Sequence, residues 1–85
     1  MMNKLEILKK KILYRSSYRG TKEMDLLLGN FVRFYINDLD ENELLDLSNL
    51  LEVDDEILLN FHQNDTLYRT LKKNRITDLY KKFKL

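Results

Sequence analysis

The sequence contains no cysteine, no proline and no tryptophan, and only two glycines, Gly20 and Gly29. Without cysteine there is no disulfide or thiolate metal site to reinforce a small core, and no thiol nucleophile or redox centre. That usage fits a reducing compartment. With proline absent and glycine confined to two positions, nothing reads as a linker or a repeat, and closely joined helices are expected. No apolar stretch approaches the roughly 20 residues that span a bilayer; runs such as Leu26-Leu27-Leu28, stopped by Gly29, are far too short. The segment from Met1 to Lys11 is basic but has no apolar signal core, so it reads as mature protein and not as a secretory peptide.

Charge is plentiful but not one-sided. Fifteen Lys and Arg face fourteen Asp and Glu, for a net charge of +1. A dedicated nucleic-acid binder shows a clear basic excess, and this chain does not. Its 85 residues fit one domain, spanning 1–85. A chain this short buries only about 60–65% of its unfolded surface. Its stability therefore depends on packed apolar faces and well-made helix ends.

Those ends are legible. The first helix is expected from about Asn3 to Ser17, with Leu5, Leu8, Ile12 and Leu13 on one face and Lys9-Lys10-Lys11 on the solvated side. The run Ser16-Ser17-Tyr18-Arg19-Gly20 reads as exit and turn, where Gly20 can take a positive φ. Thr21 is the expected N-cap of a second helix, with Glu23 and Asp25 opposing the positive end of its dipole. Met24, Leu27, Leu28, Phe31 and Tyr35 form a helical stripe, and Leu26, Val32 and Phe34 add apolar surface, so this helix is expected at the centre. Gly29 within it costs roughly 1 kcal/mol relative to alanine, which a close helix–helix approach would explain.

Asp40 and Glu43 spell a capping box, with Leu39 and Leu44 as a hydrophobic staple, ahead of a third helix bearing Leu44, Leu47, Leu50 and Leu51. Val53 and Asp54 repeat the pattern for a fourth, with Ile57, Leu58 and Phe61 pointing inward. Asp65 is the expected cap of a fifth, led by Leu67, Tyr68 and Leu71. After Lys72-Lys73-Asn74-Arg75 the register slips to a separate set of Ile76, Leu79, Tyr80 and Phe83, for which continued helix, a bend or separate packing all remain open. The fold class is all-α, a small five-helix bundle.

Catalysis is hard to build from these residues. His62 is the single histidine, placed near a helix C-terminus where a surface or dipole role is commoner than a base. No Ser/His/Asp set and no glycine-rich phosphate loop can be assembled. Asp54-Asp55-Glu56 has carboxylates a hard metal uses, but no calcium-loop spacing, and it reads better as a charged helix start. Two basic patches, Lys9-Lys10-Lys11 with Arg15 and Lys81-Lys82 with Lys84, read as solvated faces or as phosphate contacts.

The distinctive stretch is Tyr14 to Asp25, dense in hydrogen-bonding and aromatic groups around one glycine turn. Arg19 and Glu23 lie four apart, so they either pair with each other to steady the turn or are both offered outward.

Arg19-Gly20-Thr21-Lys22-Glu23 resembles the Arg-Gly-x-x-Glu motif of the succinate dehydrogenase flavinylation factors, also called succinate dehydrogenase assembly factor 2. The run to Phe31 looks like the alphaproteobacterial and mitochondrial branch, and Leu50-Leu51-Glu52-Val53-Asp54-Asp55 matches a second family signature, Leu-Leu-Glu-x-Asp-Asp. The resemblance covers about residues 9–73. It departs at Glu56, where many relatives carry proline, and at Phe61, where many carry tryptophan.

The resemblance implies a non-enzymatic chaperone that binds the flavoprotein subunit of succinate dehydrogenase, with a fumarate reductase subunit as a second candidate client. It implies that the chain promotes covalent linkage of FAD to a client histidine by holding the client poised, binding no cofactor stably itself. Carried over by position, the client-binding residues are Arg19, Gly20 and Glu23, flanked by Tyr18 and Asp25. Arg19 and Glu23 are then exposed and contiguous, and Gly20→Arg leaves the fold intact while abolishing support of flavin attachment. The implied setting is the bacterial cytoplasm, or the mitochondrial matrix in a eukaryote, with no nucleic acid and no membrane span. The competing reading is a small helical nucleic-acid-binding or regulatory module, resting on the basic patches and the helix–turn–helix around Gly20.

Overall fold

A computed structural model describes residues 3–64, 71 and 73–84. Among them are five α-helices: α1 (Lys4–Ser17), α2 (Lys22–Tyr35), α3 (Glu41–Leu50), α4 (Asp55–Asn64) and α5 (Arg75–Lys82), with a single 3-10 turn at Ile36–Asp38 after α2. The described residues contain no strand.

Four of the five helix starts follow from a local side chain. Asn3 accepts the Glu6 amide at 2.9 Å, and Thr21 accepts the Met24 amide at 3.2 Å. Asp40 and Glu43 close the expected capping box in both directions, at 2.8 and 3.1 Å. These bonds satisfy amides that have no partner within their own helix. The Asp54 carbonyl accepts the Leu58 amide at 3.0 Å, so α4 starts where its cap was expected.

The slip in register near Asn74 marks a new helix. Asn74 caps α5 by accepting the Thr77 amide at 2.9 Å, while the Thr77 hydroxyl accepts the Asn74 amide at 2.9 Å. Ile76 and Tyr80 are buried, and Leu79 and Phe83 pack partly against the core. Leu71 is buried as expected. The expected cap Asp65 and the inward Leu67 and Tyr68 lie outside the described residues.

The core is a single cluster around α2, which buries Met24, Leu27, Leu28, Phe31 and Val32. Leu44, Leu47, Leu50 and Leu51 approach it from α3 and its end, Leu58 and Phe61 from α4. Tyr80 is fully buried, with its ring edge-on to Phe31 at 5.4 Å between centroids. Its hydroxyl donates to the Leu58 carbonyl at 2.9 Å, giving the buried phenol the partner it needs. Burial pushes this phenol well above its ordinary pKa. Lys81 adds a second tie, its ammonium 5.0 Å from the Phe61 ring centre and 3.2 Å from the Phe61 carbonyl.

Two packing expectations are corrected. Leu5, placed on the inner face of α1 by spacing, is 39% exposed; Ile12 is the apolar residue α1 buries completely. Gly29 does not mark a close approach of another helix. The nearest atoms to a Cβ built there belong to the Arg33 guanidinium of the same helix, at 3.4 Å. That guanidinium lies over Gly29 and donates to Asn30 at 3.3 Å.

Candidate functional site

The bend between α1 and α2 sits against the turn between α3 and α4, and Arg19 joins them. Its Nε donates to Asp55 Oδ1 at 2.7 Å, one terminal nitrogen donates to the Leu51 carbonyl at 2.5 Å, and the other to the Val53 carbonyl at 2.9 Å. All three guanidinium nitrogens thus point at one turn, a use of the planar fork that lysine cannot copy. The Arg19 side chain is 12% exposed and Asp55 24%. In so dry a setting the charge-assisted bonds are stronger than a surface pair. The Arg19 backbone is held as well, its amide donating to Asp25 Oδ1 at 2.6 Å.

This corrects the expectation for Arg19. It neither pairs with Glu23 nor faces outward, because three acceptors on the α3–α4 turn outcompete one exposed carboxylate. Asp25 likewise accepts the Arg19 amide, so part of its carboxylate is engaged internally. The remaining three expected residues, Tyr18, Gly20 and Glu23, are exposed. Tyr18 is 71% exposed and stacks at a tilt on Tyr14, with centroids 4.7 Å apart. Glu23 accepts a 3.2 Å bond from Gln63 at the end of α4.

Gly20 has φ +109°, in the left-handed region that side chains disfavour. A Cβ there would find nothing nearer than Asp55 Oδ2 at 4.0 Å. The space is open, but the backbone is not free to take a side chain. Gly20→Arg is therefore a strained substitution as well as an obstructing one.

The two motifs of the sequence, beginning at Arg19 and Leu50, form one structure through this guanidinium. A second, weaker tie runs beside it, Arg15 to Glu52 at 3.0 Å, with 47% and 64% of the side chains exposed. Such an exposed pair contributes about 0–1 kcal/mol. Sequence spacing missed Asp55, Glu52 and Gln63 as partners of the bend. The available signal is the second motif itself, which carries both Glu52 and Asp55.

Elsewhere the polar groups have structural work. His62 Nε2 lies 2.6 Å from the Phe83 carbonyl; a carbonyl only accepts, so Nε2 carries the proton and the ring fastens the chain after α5 to α4. Arg75 at the start of α5 pairs with Glu43 of α3. A cleft of about 260 Å³ lies between α3 and α5, lined by Asp46, Asn49, Leu71, Asn74 and Thr77, with Asn74 and Thr77 already occupied in the α5 cap. Among the described residues, no group of three or more His, Asp or Glu gathers to hold a metal, and no helix is long and apolar enough to cross a membrane.

The fold and the site define a small all-α protein whose distinctive polar feature is a braced bend displaying Tyr18, Gly20 and Glu23. The chain belongs to the family described as flavinator of succinate dehydrogenase, whose family model matches residues 10–84. It is 42% identical over 60 residues to succinate dehydrogenase assembly factor 2, mitochondrial, of Dictyostelium discoideum, covering 71% of this chain and 43% of that one. It is 34% identical over 80 residues to the protein of the same name from Scheffersomyces stipitis, covering 94% and 48%. It is 36% identical over 47 residues to the FAD assembly factor SdhE of Acetobacter pasteurianus, covering 55% and 43%. The chain spans less than half the length of these curated relatives. No solved structure matches it significantly.

Proposed function

We propose that this chain is a non-enzymatic assembly factor that binds the flavoprotein subunit of succinate dehydrogenase and promotes covalent attachment of FAD to it. The observation that carries the reading is the Arg19 clasp. It fixes the bend so that Tyr18, Gly20 and Glu23 form a preorganised exposed surface, in a chain whose family is named for this process. Preorganisation lowers the entropy lost on binding. Gly20 lets a partner's backbone approach closely, Tyr18 offers a broad, amphipathic ring, and Glu23 offers a carboxylate.

On this reading the bond-forming chemistry belongs to the client and its flavin. The assembly factor contributes positioning, holding the client in the arrangement from which attachment proceeds. Arg19, Asp55 and Asp25 act by shaping the bend and do not touch the client. The site of action is the bacterial cytoplasm or the mitochondrial matrix, wherever the client matures.

The test is direct. The apo flavoprotein is mixed with FAD, with and without the chain, and flavin fluorescence is scored on the client band of a denaturing gel. Fluorescence that rises only when the chain is present supports the reading, and equal fluorescence in both mixtures overturns it.

A further inference from the structure

The solvent-facing side of α1 has a composition that packing within the chain does not call for. Ile7, Tyr14 and Tyr18 are 42%, 67% and 71% exposed, and they fall on one helical stripe with Lys4 and Lys11, with Lys10 alongside. The opposite side of the same helix buries Ile12 and Ser16. Exposed apolar residues are common singly, but here they fall on one stripe. The stripe interleaves an aliphatic and two aromatic side chains with lysines, the chemistry of contact anchors set in a charged rim.

The charge of α1 is equally lopsided. Lys4, Lys9, Lys10, Lys11 and Arg15 face one carboxylate, Glu6, giving the helix +4. The whole chain is +1, so the remainder is −3. Among the described residues, Arg15 is the α1 cation held in an ion pair, with Glu52. The basic charge of α1 thus lies on the helix that also carries the exposed Tyr14 ring. The face also runs without a break into the bend, because Tyr18 belongs to both.

We infer that the outer face of α1 is a second part of the partner-binding surface and seats on an acidic groove of the same protein partner that meets the Gly20 bend. Tyr14 and Ile7 enter the groove, and Lys10 and Lys11 meet carboxylates at its rim. This rests on the functional reading above and extends it along the helix. A protein partner is favoured over nucleic acid because the exposed Glu52 lies beside Tyr14 and Tyr18 at one end of the face, where a carboxylate disfavours a phosphate backbone.

Affinity of the chain for the apo flavoprotein is measured by calorimetry at low and high salt, for wild type, Tyr14→Ala, Lys10→Glu with Lys11→Glu, and Glu23→Ala. All four substituted side chains are exposed, so circular dichroism melting should be unchanged. The expected result is about a tenfold or larger loss for Tyr14→Ala and for the lysine pair. Wild-type binding should weaken with salt more steeply than that of the lysine variant. If Glu23→Ala weakens binding while both α1 variants bind like wild type, this inference falls and the functional reading stands. If wild type does not bind the flavoprotein, both fall together. Tighter binding of wild type to DNA or RNA than to the flavoprotein, lost in the lysine variant, overturns the inference in favour of a nucleic-acid face.

Discussion

Arg19 and Asp55, 36 positions apart in the chain, meet through a 2.7 Å bond between Nε and Oδ1. The same guanidinium holds the carbonyls of Leu51 and Val53. A surface bend and a helix start are thereby made into a single rigid corner, and losing either side chain leaves the other poorly solvated and unpaired.

Arg19→Gln should therefore destabilise the fold by about 2–3 kcal/mol. That is below the 3–5 kcal/mol seen for fully buried pairs, because Asp55 keeps some exposure. Arg19→Lys should recover little of the loss, since a single ammonium cannot reach three divergent acceptors. Urea denaturation measures both, and a loss under 0.5 kcal/mol for either variant would contradict the clasp.

Gly20→Ala and Gly20→Arg should each lose about 1–2 kcal/mol, and by similar amounts. The cost arises from the positive φ, not from crowding, because the nearest atom to the new Cβ is 4.0 Å away. Melting temperatures of the two variants would coincide, whereas flavin attachment would suffer more from the larger side chain. A much lower melting temperature for the arginine variant would point to crowding.

Gly29→Ala should stabilise the chain by up to about 1 kcal/mol through helix propensity alone. The added methyl meets only the end of the flexible Arg33 side chain, at 3.4 Å, an ordinary contact. A destabilised variant would show that another element packs there after all. Flavin attachment should be unaffected.

The buried Tyr80 makes stability depend on alkaline pH. Burial raises its phenol above the ordinary value of 10.0, with the Arg19 charge lowering it and the Asp55 charge adding to the rise. The folded chain keeps this proton to higher pH than the unfolded chain. The corresponding stability is present below about pH 10 and is lost as pH rises beyond it. Tyr80→Phe should flatten that decline while losing about 1 kcal/mol at neutral pH with the bond to the Leu58 carbonyl. Denaturation curves at pH 9 to 11 compare the two, and identical slopes would remove Tyr80 as the cause.

Local features were the legible ones. Thr21, Asp40 and Glu43 announced their helices because a cap acts on amides three residues away, within reach of spacing rules. The α5 cap was not read as such, because Thr77 replaces the usual Glu or Gln of a capping box. At the site, the sequence marked the Tyr18–Asp25 stretch but paired Arg19 with Glu23, its neighbour four positions on. The acceptors that hold Arg19 are 32 to 36 positions away, and two of them are backbone carbonyls, which no residue type announces. Gly29 misled for the opposite reason, since its cover comes from Arg33, one turn further along its own helix.

The clasp also sets what positions 53 and 55 must supply to it. Arg19 reads position 53 through an oxygen that every amino acid carries, so the letter there is free to drift within the limits of its partial burial. At position 55 the same guanidinium asks for a carboxylate, and the alphabet narrows to what a fixed turn can aim at it. Substitution at 53 and at 55 therefore meets different demands, because one arginine grips main chain at the first and side chain at the second.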